Sequence, residues 1–218
     1  MRIVIAGGHG RIALRLERLL AARGDEVAGI IRTAEQGDDL RAAGAEPVVL
    51  DLESASAEEV AECLRGAGAA VFAAGAGPGS GAARKDTVDK GAAVLFADAA
   101  VRAGVRRFLV VSSMGADPAH QGDDVFDVYL RAKGEADAYI ARQEALDWTI
   151  LRPGSLTDEA GTGLVRMEAH TGRGAIPRED VAAVLAELVD TPATAGLTLE
   201  LISGSTPVSV AVKSVAGN

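Results

Sequence analysis

The sequence predicts an α/β protein, a doubly wound, mostly parallel sheet with helices on both faces. Three observations carry that prediction. Short apolar runs alternate along the chain with stretches of helical period. The runs are continuous enough to be strands buried on both faces. Strands that alternate with helices require right-handed crossovers and place successive strands parallel. Neither a linker nor a second core interrupts the pattern, so residues 1–218 are expected as a single domain.

Each element follows from local pattern. Arg2–Ala6 (RIVIA) is a strand closed by glycines. Arg11–Ala22 places Ile12, Leu16, Leu19 and Leu20 at helical spacing, and Gly24 ends it. Val27–Ile31 is a second strand, Gly37–Ala43 a short helix and Pro47–Leu50 a third strand. Ser56–Leu64 is a helix and Ala69–Ala74 a fourth strand. The second half continues with a helix at Val88–Ala103, a strand at Arg107–Ser112, a helix at Val128–Gln143 and a strand at Trp148–Arg152. It ends with a helix at Arg178–Val189 and a strand at Leu197–Ser203. Met114–Asp127 and Gly154–Pro177 lack clear period. The second is long for a structureless loop, so it reads as a substrate-side loop region, or as an irregular surface segment with a short strand at Gly163–His170.

Composition narrows the function classes. Of 218 residues, 48 % are hydrophobic but only 3 % aromatic, so the core must be built from Ala, Val, Leu and Ile. A chain of this length buries roughly 70 % of its unfolded surface, which suffices without cross-links. The single cysteine, Cys63, lies in a helical run and reads as structural. Scattered histidines offer no metal-ligand spacing. A net charge of −9 argues against nucleic-acid binding, which needs a basic footprint. No apolar run approaches the roughly 18 residues of a membrane span, and the N-terminus enters a strand at once, so a cytoplasmic location is expected.

The chemistry begins at Gly7-Gly8-His9-Gly10-Arg11-Ile12-Ala13, between the first strand and the first helix. Its G-x-x-G-x-x-A spacing is a variant of the dinucleotide fingerprint. Glycines allow a tight turn and close approach of backbone to a pyrophosphate, and the helix N-terminus favours the anion. Such a string is informative only in a strand–turn–helix context, which it has here. NAD sites usually place an acid at the end of the second strand. Here Arg32 stands there, and a guanidinium suits a 2′-phosphate, so NADP(H) is the expected cofactor, with NAD(H) the alternative. Asp51, after the third strand, accepts from adenine or merely shapes a turn. His9 either reaches phosphate or faces solvent. The cofactor-binding set is Gly7, Gly8, His9, Gly10, Arg11, Ile12, Arg32, Asp51, Leu52, Ala73, Ala74, Gly75, Ser112, Lys133, Pro153, Gly154 and Ser155.

A second constellation lies downstream. The fifth strand ends in Ser112-Ser113, and Tyr129-x-x-x-Lys133 follows on a helix. The i, i+4 spacing puts both side chains on one face. A free tyrosine titrates near ~10 and needs a neighbouring ammonium to act near neutral pH. Lys133 is also placed to hold a ribose. A serine at the strand end orients a substrate carbonyl.

With these residues the chain resembles the short-chain dehydrogenase/reductase superfamily, and within it the atypical epimerase/dehydratase-like, NmrA-like members. The resemblance rests on GGHGRIA, VDKGAAVLFADAAVRAGVRRFLVVSSMGAD, YLRAKGEADAYI, DWTILRPGSLTDEAGTG and PREDVA, and covers nearly the whole chain. It implies a Rossmann-type fold and a nicotinamide cofactor. It maps the acid–base group onto Tyr129, its partner onto Lys133, the serine onto Ser113 ahead of Ser112, and a nicotinamide-side turn onto Arg152-Pro153-Gly154. Catalytic members carry an asparagine where this chain has Asp89, and an acid beside the lysine would neutralise it or interrupt a proton relay.

The leading expectation is therefore an NADP(H)-dependent reductase of a small carbonyl-like, flavin-like or quinone-like acceptor. The alternative is a nucleotide-binding sensor without turnover. Sugar-nucleotide epimerisation ranks lower, because the large C-terminal substrate domain of the extended epimerases does not fit in 218 residues. A monomer or a homodimer is expected, with Val88–Ala103 or Val128–Gln143 as a pairing face.

Overall fold

A computed structural model of the chain describes residues 1–77 and 79–217. Its strands and helices follow the alternation of the sequence: β1 (Arg2–Ala6), α1 (Ala13–Ala22), β2 (Glu26–Ile31), α2 (Gly37–Ala42), β3 (Glu46–Val49), α3 (Ala57–Leu64) and β4 (Ala69–Phe72). Then come α4 (Ala82–Arg84), a π-helical segment (Lys85–Ala92), α5 (Ala93–Ala103), β5 (Arg107–Val111), α6 (Val125–Ile140) and β6 (Asp147–Pro153). The chain continues through β7 (Ser155–Thr157), β8 (Leu164–Glu168), β9 (Ala175–Pro177), α7 (Arg178–Val189), β10 (Leu197–Ser203), β11 (Thr206–Pro207) and α8 (Val208–Ala216).

Among the described residues, nine strands form one sheet in the order β11-β8-β10-β6-β5-β4-β1-β2-β3. The run from β3 to β10 is parallel, and β8 joins antiparallel at the far side. Strand order reverses beside β1, whose neighbours are β2 and β4. This is a Rossmann-type α/β fold, and the crevice outside the carboxyl ends of β1 and β4 is where such sheets bind ligands.

Apolar residues of the central strands divide between two cores. Ile3, Ile5, Val71 and Leu109 pack with α1, α7 and α8 on one face. Val4, Ala6, Phe72 and Phe108 pack with α3, α5 and α6 on the other. That alternation is the two-residue period of buried strands. Three of the four phenylalanines, Phe72, Phe96 and Phe108, meet in the second core at centroid distances of 6.0 and 5.7 Å.

Several expectations are corrected. The helix expected from Val88 starts earlier and contains a π-helical turn over Lys85–Ala92. The helix expected at Val128–Gln143 spans Val125–Ile140. In residues 154–177 the short strand expected at Gly163–His170 is found as β8, which enters the main sheet, and β7 and β9, which were not expected, pair with each other. Asp180 on α7 holds the turn before β8, accepting from Gly163 N at 2.8 Å and Thr162 N at 3.1 Å. The terminal helix α8 had no counterpart among the expected elements. Its sequence VSVAVKSV alternates like a strand, yet Val208, Ala211 and Val212 are buried at helical spacing.

Candidate functional site

The glycine loop is built by the exit from β1. Gly7 adopts φ 78°, and a Cβ there would lie 2.6 Å from Cα of Ala74. Only glycine accommodates both the left-handed backbone and this approach. Gly7 N and Gly8 N both donate to the Ile30 carbonyl, at 3.1 and 2.9 Å, which ties the loop to β2. Gly10 N donates back to Gly7 O at 2.8 Å, closing the turn before α1.

Two cavities open along this crevice. The first, of about 230 Å³, is lined by Gly7, His9, Gly10, Arg32, Asp51 and Leu52, with Glu53 and Arg84 at its rim. The second, of about 510 Å³, is lined by Ile12, Ser112, Tyr129, Lys133, Lys85 and Asp89, among others. They share the wall Ala73–Ala76, where small side chains leave the backbone exposed. An elongated ligand spanning both would run from the end of β2, over the glycine loop, to Tyr129. These residues fit a dinucleotide: a glycine cradle at a helix start, a narrow small-residue wall and a cation at one end.

Charge at the β2 end is organised around Glu53. Arg84 binds its carboxylate through Nη2 at 2.6 Å, and Thr87 donates to it at 2.7 Å. These hydrogen bonds, Arg84 first, hold the Glu53 carboxyl below its ordinary range. Arg32 stands farther off, with Nη1 3.8 Å from Glu53, and keeps half of its side chain exposed. Arg84 is committed to Glu53 while Arg32 retains donors for a ligand. His9 is paired with Asp39 at 2.7 Å and faces the first cavity. Asp51 accepts from Glu53 N at 3.1 Å, the turn role, and also lines the cavity.

In the second cavity Tyr129 is half-buried and its ring lies 5.9 Å from that of Phe126. Lys133 is buried. Its Nζ donates to Val111 O at 3.1 Å and Ala74 O at 3.5 Å, and forms an ion pair with Asp89 at 3.3 Å. The ammonium thus makes two hydrogen bonds to carbonyls, while Asp89 Oδ1 beside it is buried with no hydrogen-bond partner among the described residues. Asp89, also buried, takes a hydrogen bond from Ala76 N at 3.3 Å.

The two serines differ. Ser112 lines the second cavity, but its hydroxyl donates to Asp137 at 2.8 Å. Asp137 also receives Arg152 at 2.9 Å. Burial, partly opposed by Arg152 and Ser112, raises the Asp137 carboxyl above its usual range. Ser113 points elsewhere, donating to Met114 O at 3.2 Å, and lines neither cavity. Ser112 thus faces the cavity and Ser113, expected ahead of it, does not, since adjacent residues at a strand end face opposite sides.

Other expected residues lie apart from the cavities. Gly8 packs against Gly29 of β2. Arg11 is exposed and paired with Asp158 at 2.5 Å. Pro153 accepts from Met114 N, Gly154 lies against the Gly174 carbonyl and Ser155 N donates to Gly174 O. The turn after β6 is thus occupied by sheet packing, and Leu156 is the residue it sends to the second cavity. Sequence pattern did not single out Lys85, Arg84, Glu53 or Asp137. Lys85 and Asp137 carried a usable signal, each lying four residues from a candidate, Asp89 and Lys133, on the same helical face.

Comparison with known proteins decides the family. A profile described as NAD(P)H-binding matches residues 7–192. The chain belongs to that NAD(P)H-binding family. It is 36 % identical to the uncharacterized sugar epimerase YhfK of Bacillus subtilis, over 98 % of this chain and 99 % of the relative. Among solved structures, a Bacillus halodurans protein assigned to the NAD-dependent epimerases/dehydratases superposes with TM-score 0.90 at 38 % identity, covering 98 % and 99 % of the two chains. The anaerobilin reductase ChuY of Escherichia coli O157:H7 gives TM-score 0.77 at 27 % identity, covering 93 % and 97 %. Family and fold thus agree on a nicotinamide-nucleotide site and an oxidoreductase-like chain of the atypical short-chain dehydrogenase/reductase type. Among the described residues no helix is long and apolar enough to cross a membrane.

Proposed function

We propose that the protein is an NADP(H)-dependent reductase of a small organic acceptor. The observation that carries the reading is the pair of adjoining cavities, one below the glycine loop with Arg32 at its end, the other holding Tyr129. The likeness to a reductase, ChuY, supports this direction of chemistry. Gly7, Gly10 and the start of α1 would hold the pyrophosphate, Arg32 the 2′-phosphate, and Ala73–Gly75 the backbone side of the cofactor. When bound, the reduced nicotinamide supplies a hydride. Tyr129 then gives its hydroxyl proton to the acceptor oxygen and recovers one from water at the open mouth of the cavity. Val111, Val125 and Leu156 make the cavity wall around Tyr129 largely apolar.

NADPH consumption with paired carbonyl, quinone and flavin acceptors tests this. A carbonyl acceptor should be reduced, and Tyr129→Phe should lower that rate by roughly 10²–10⁴-fold, the range for a positioned acid–base group. Flavin reduction needs less acid help and should fall less. Absence of NADPH consumption with every acceptor class would overturn the reading.

A second reading has its own observation. Lys133 is paired with Asp89 and hydrogen-bonded to two carbonyls, and the Ser112 hydroxyl is engaged by Asp137. A relay so occupied suits a protein that binds NADP(H) and reports its redox state without turnover. Partner binding that differs between NADP⁺ and NADPH, with no turnover, would establish it.

A further inference from the structure

We propose that Lys85 anchors an anionic group of the substrate in the second cavity. The inference rests on the reading of that cavity as the acceptor site. Lys85 begins the π-helical segment, whose wider winding is uncommon and recurs at functional sites. Its side chain is about nine-tenths buried. One N–H donates to Gly77 O at 3.1 Å. The ammonium stands 5.2 Å above the ring centre of Tyr129, within cation–π range of the residue placed at the chemistry. Asp89, the nearest carboxylate, lies 4.0 Å away and is already held by Lys133 and Ala76 N.

Charge balance gives the inference its direction. Lys85, Lys133 and Asp89 leave one positive charge in excess in the second cavity, among the described residues. The other walls include Ile12, Val111, Val125, Phe126 and Leu156, which are apolar. Among the described residues this buried ammonium makes one hydrogen bond, and in such surroundings it is poorly solvated, so an incoming anion gains a strong hydrogen bond there. Lys133 is turned instead toward Val111 O, Ala74 O and Asp89. Phe126 is the outlier of its type, 64 % exposed at the cavity mouth while the other phenylalanines are buried. An exposed aromatic beside Tyr129 suits a flat apolar body. The ligand class that meets both features is a planar molecule carrying a carboxylate or comparable anion.

The test is calorimetry on NADP⁺-loaded protein with 2-naphthoate and its uncharged counterpart 2-naphthamide. The wild type should bind the carboxylate at least roughly 10-fold more tightly, the effect of one hydrogen bond between charged groups. Lys85→Met should bring the ratio to about one, and Lys85→Arg, which keeps the charge, should retain most of the preference. Circular dichroism checks the fold, and Lys85→Gln replaces Lys85→Met if the latter does not fold. Equal affinities in the wild type, no binding of either probe, or a preference unchanged in Lys85→Met would each overturn the proposal. Failure of NADPH consumption would remove the reductase reading and leave this binding ratio standing. A ratio of one with turnover intact would remove the anchor alone.

Discussion

At the scale of single residues, the least expected side chain is Glu17. It lies on α1, fully buried, with both carboxylate oxygens unpartnered. A Cβ at Gly8 or Gly29 would fall 2.9 or 2.6 Å from Oε1, so the glycine loop and β2 leave just enough room for it. Burial pushes its pKa from 4.5 to about 8, slightly opposed by Arg18. The folded protein therefore keeps Glu17 protonated where the unfolded chain ionises it. Above the unfolded value the native state binds more protons, so stability falls as pH rises. The contribution is intact below about pH 4.5, declines between that value and about 8, and is fully lost above it. The full shift corresponds to at most on the order of 5 kcal/mol. Glu17→Gln should flatten the fall in urea-unfolding free energy across that pH window. Parallel slopes for wild type and variant would refute the assignment. A glutamate at a helical position on a sequence carries no mark of this burial. It became visible only when α1 was docked on β2.

Elements show the same division between local and tertiary causes. Strands β1 to β6 were legible because buried strands write themselves as short apolar runs. The glycine loop was legible because backbone geometry demands particular residues there. The π-helical turn at Lys85–Ala92 was not, since its residues have no distinctive period and its winding is set by packing against α6, as in the ion pair Lys90–Glu135 at 2.7 Å. Helix α8 was missed because its alternating valines mimic a strand and only α7 and β8 reveal which of them are covered. The turn after β6 differs for a related reason: Pro153–Ser155 pack within the sheet region and line neither cavity. Gly134 on α6 makes the tertiary cause measurable. A Cβ there would overlap the backbone of Asp117 and Pro118, atoms that cannot rotate aside. Alanine gains about 1 kcal/mol in helix propensity over glycine. Overpacking costs typically ~1–3 kcal/mol and more against fixed backbone. Gly134→Ala should therefore lower the urea midpoint and, by displacing α6, reduce turnover through Tyr129. A raised midpoint would show that propensity governs this position.

For the molecule as a whole, the question is how an acidic protein holds a polyanionic cofactor. With a net charge of −9, the long-range field opposes binding, so local groups must provide the attraction. The switch in strand order beside β1 concentrates them: the glycine loop, the start of α1 and the ends of β2 and β4 meet in one crevice. Of the two arginines lining it, Arg84 is paired with Glu53, and on the proposed reading Arg32 is the group that would tell a 2′-phosphate from a hydroxyl. On the proposed reading, binding there would touch the ends of β1, β2 and β4 together and so stabilise the sheet rather than one loop. At a ligand concentration about 100 times Kd, mass action adds roughly 2.7 kcal/mol. For a domain of this size, with about 2–4 °C per kcal/mol, Tm should rise by about 5–10 °C. NADPH should give that rise at concentrations where NADH gives less, because the proposed contact to Arg32 would contribute about 1.5–3 kcal/mol, or roughly 10-fold or more in affinity. Arg32→Glu should reverse the preference, lowering the NADPH response while keeping that of NADH, whose ribose hydroxyls a carboxylate accepts. Equal Tm shifts with both cofactors in the wild type would place cofactor choice elsewhere in the crevice, with Arg84 the next residue to replace.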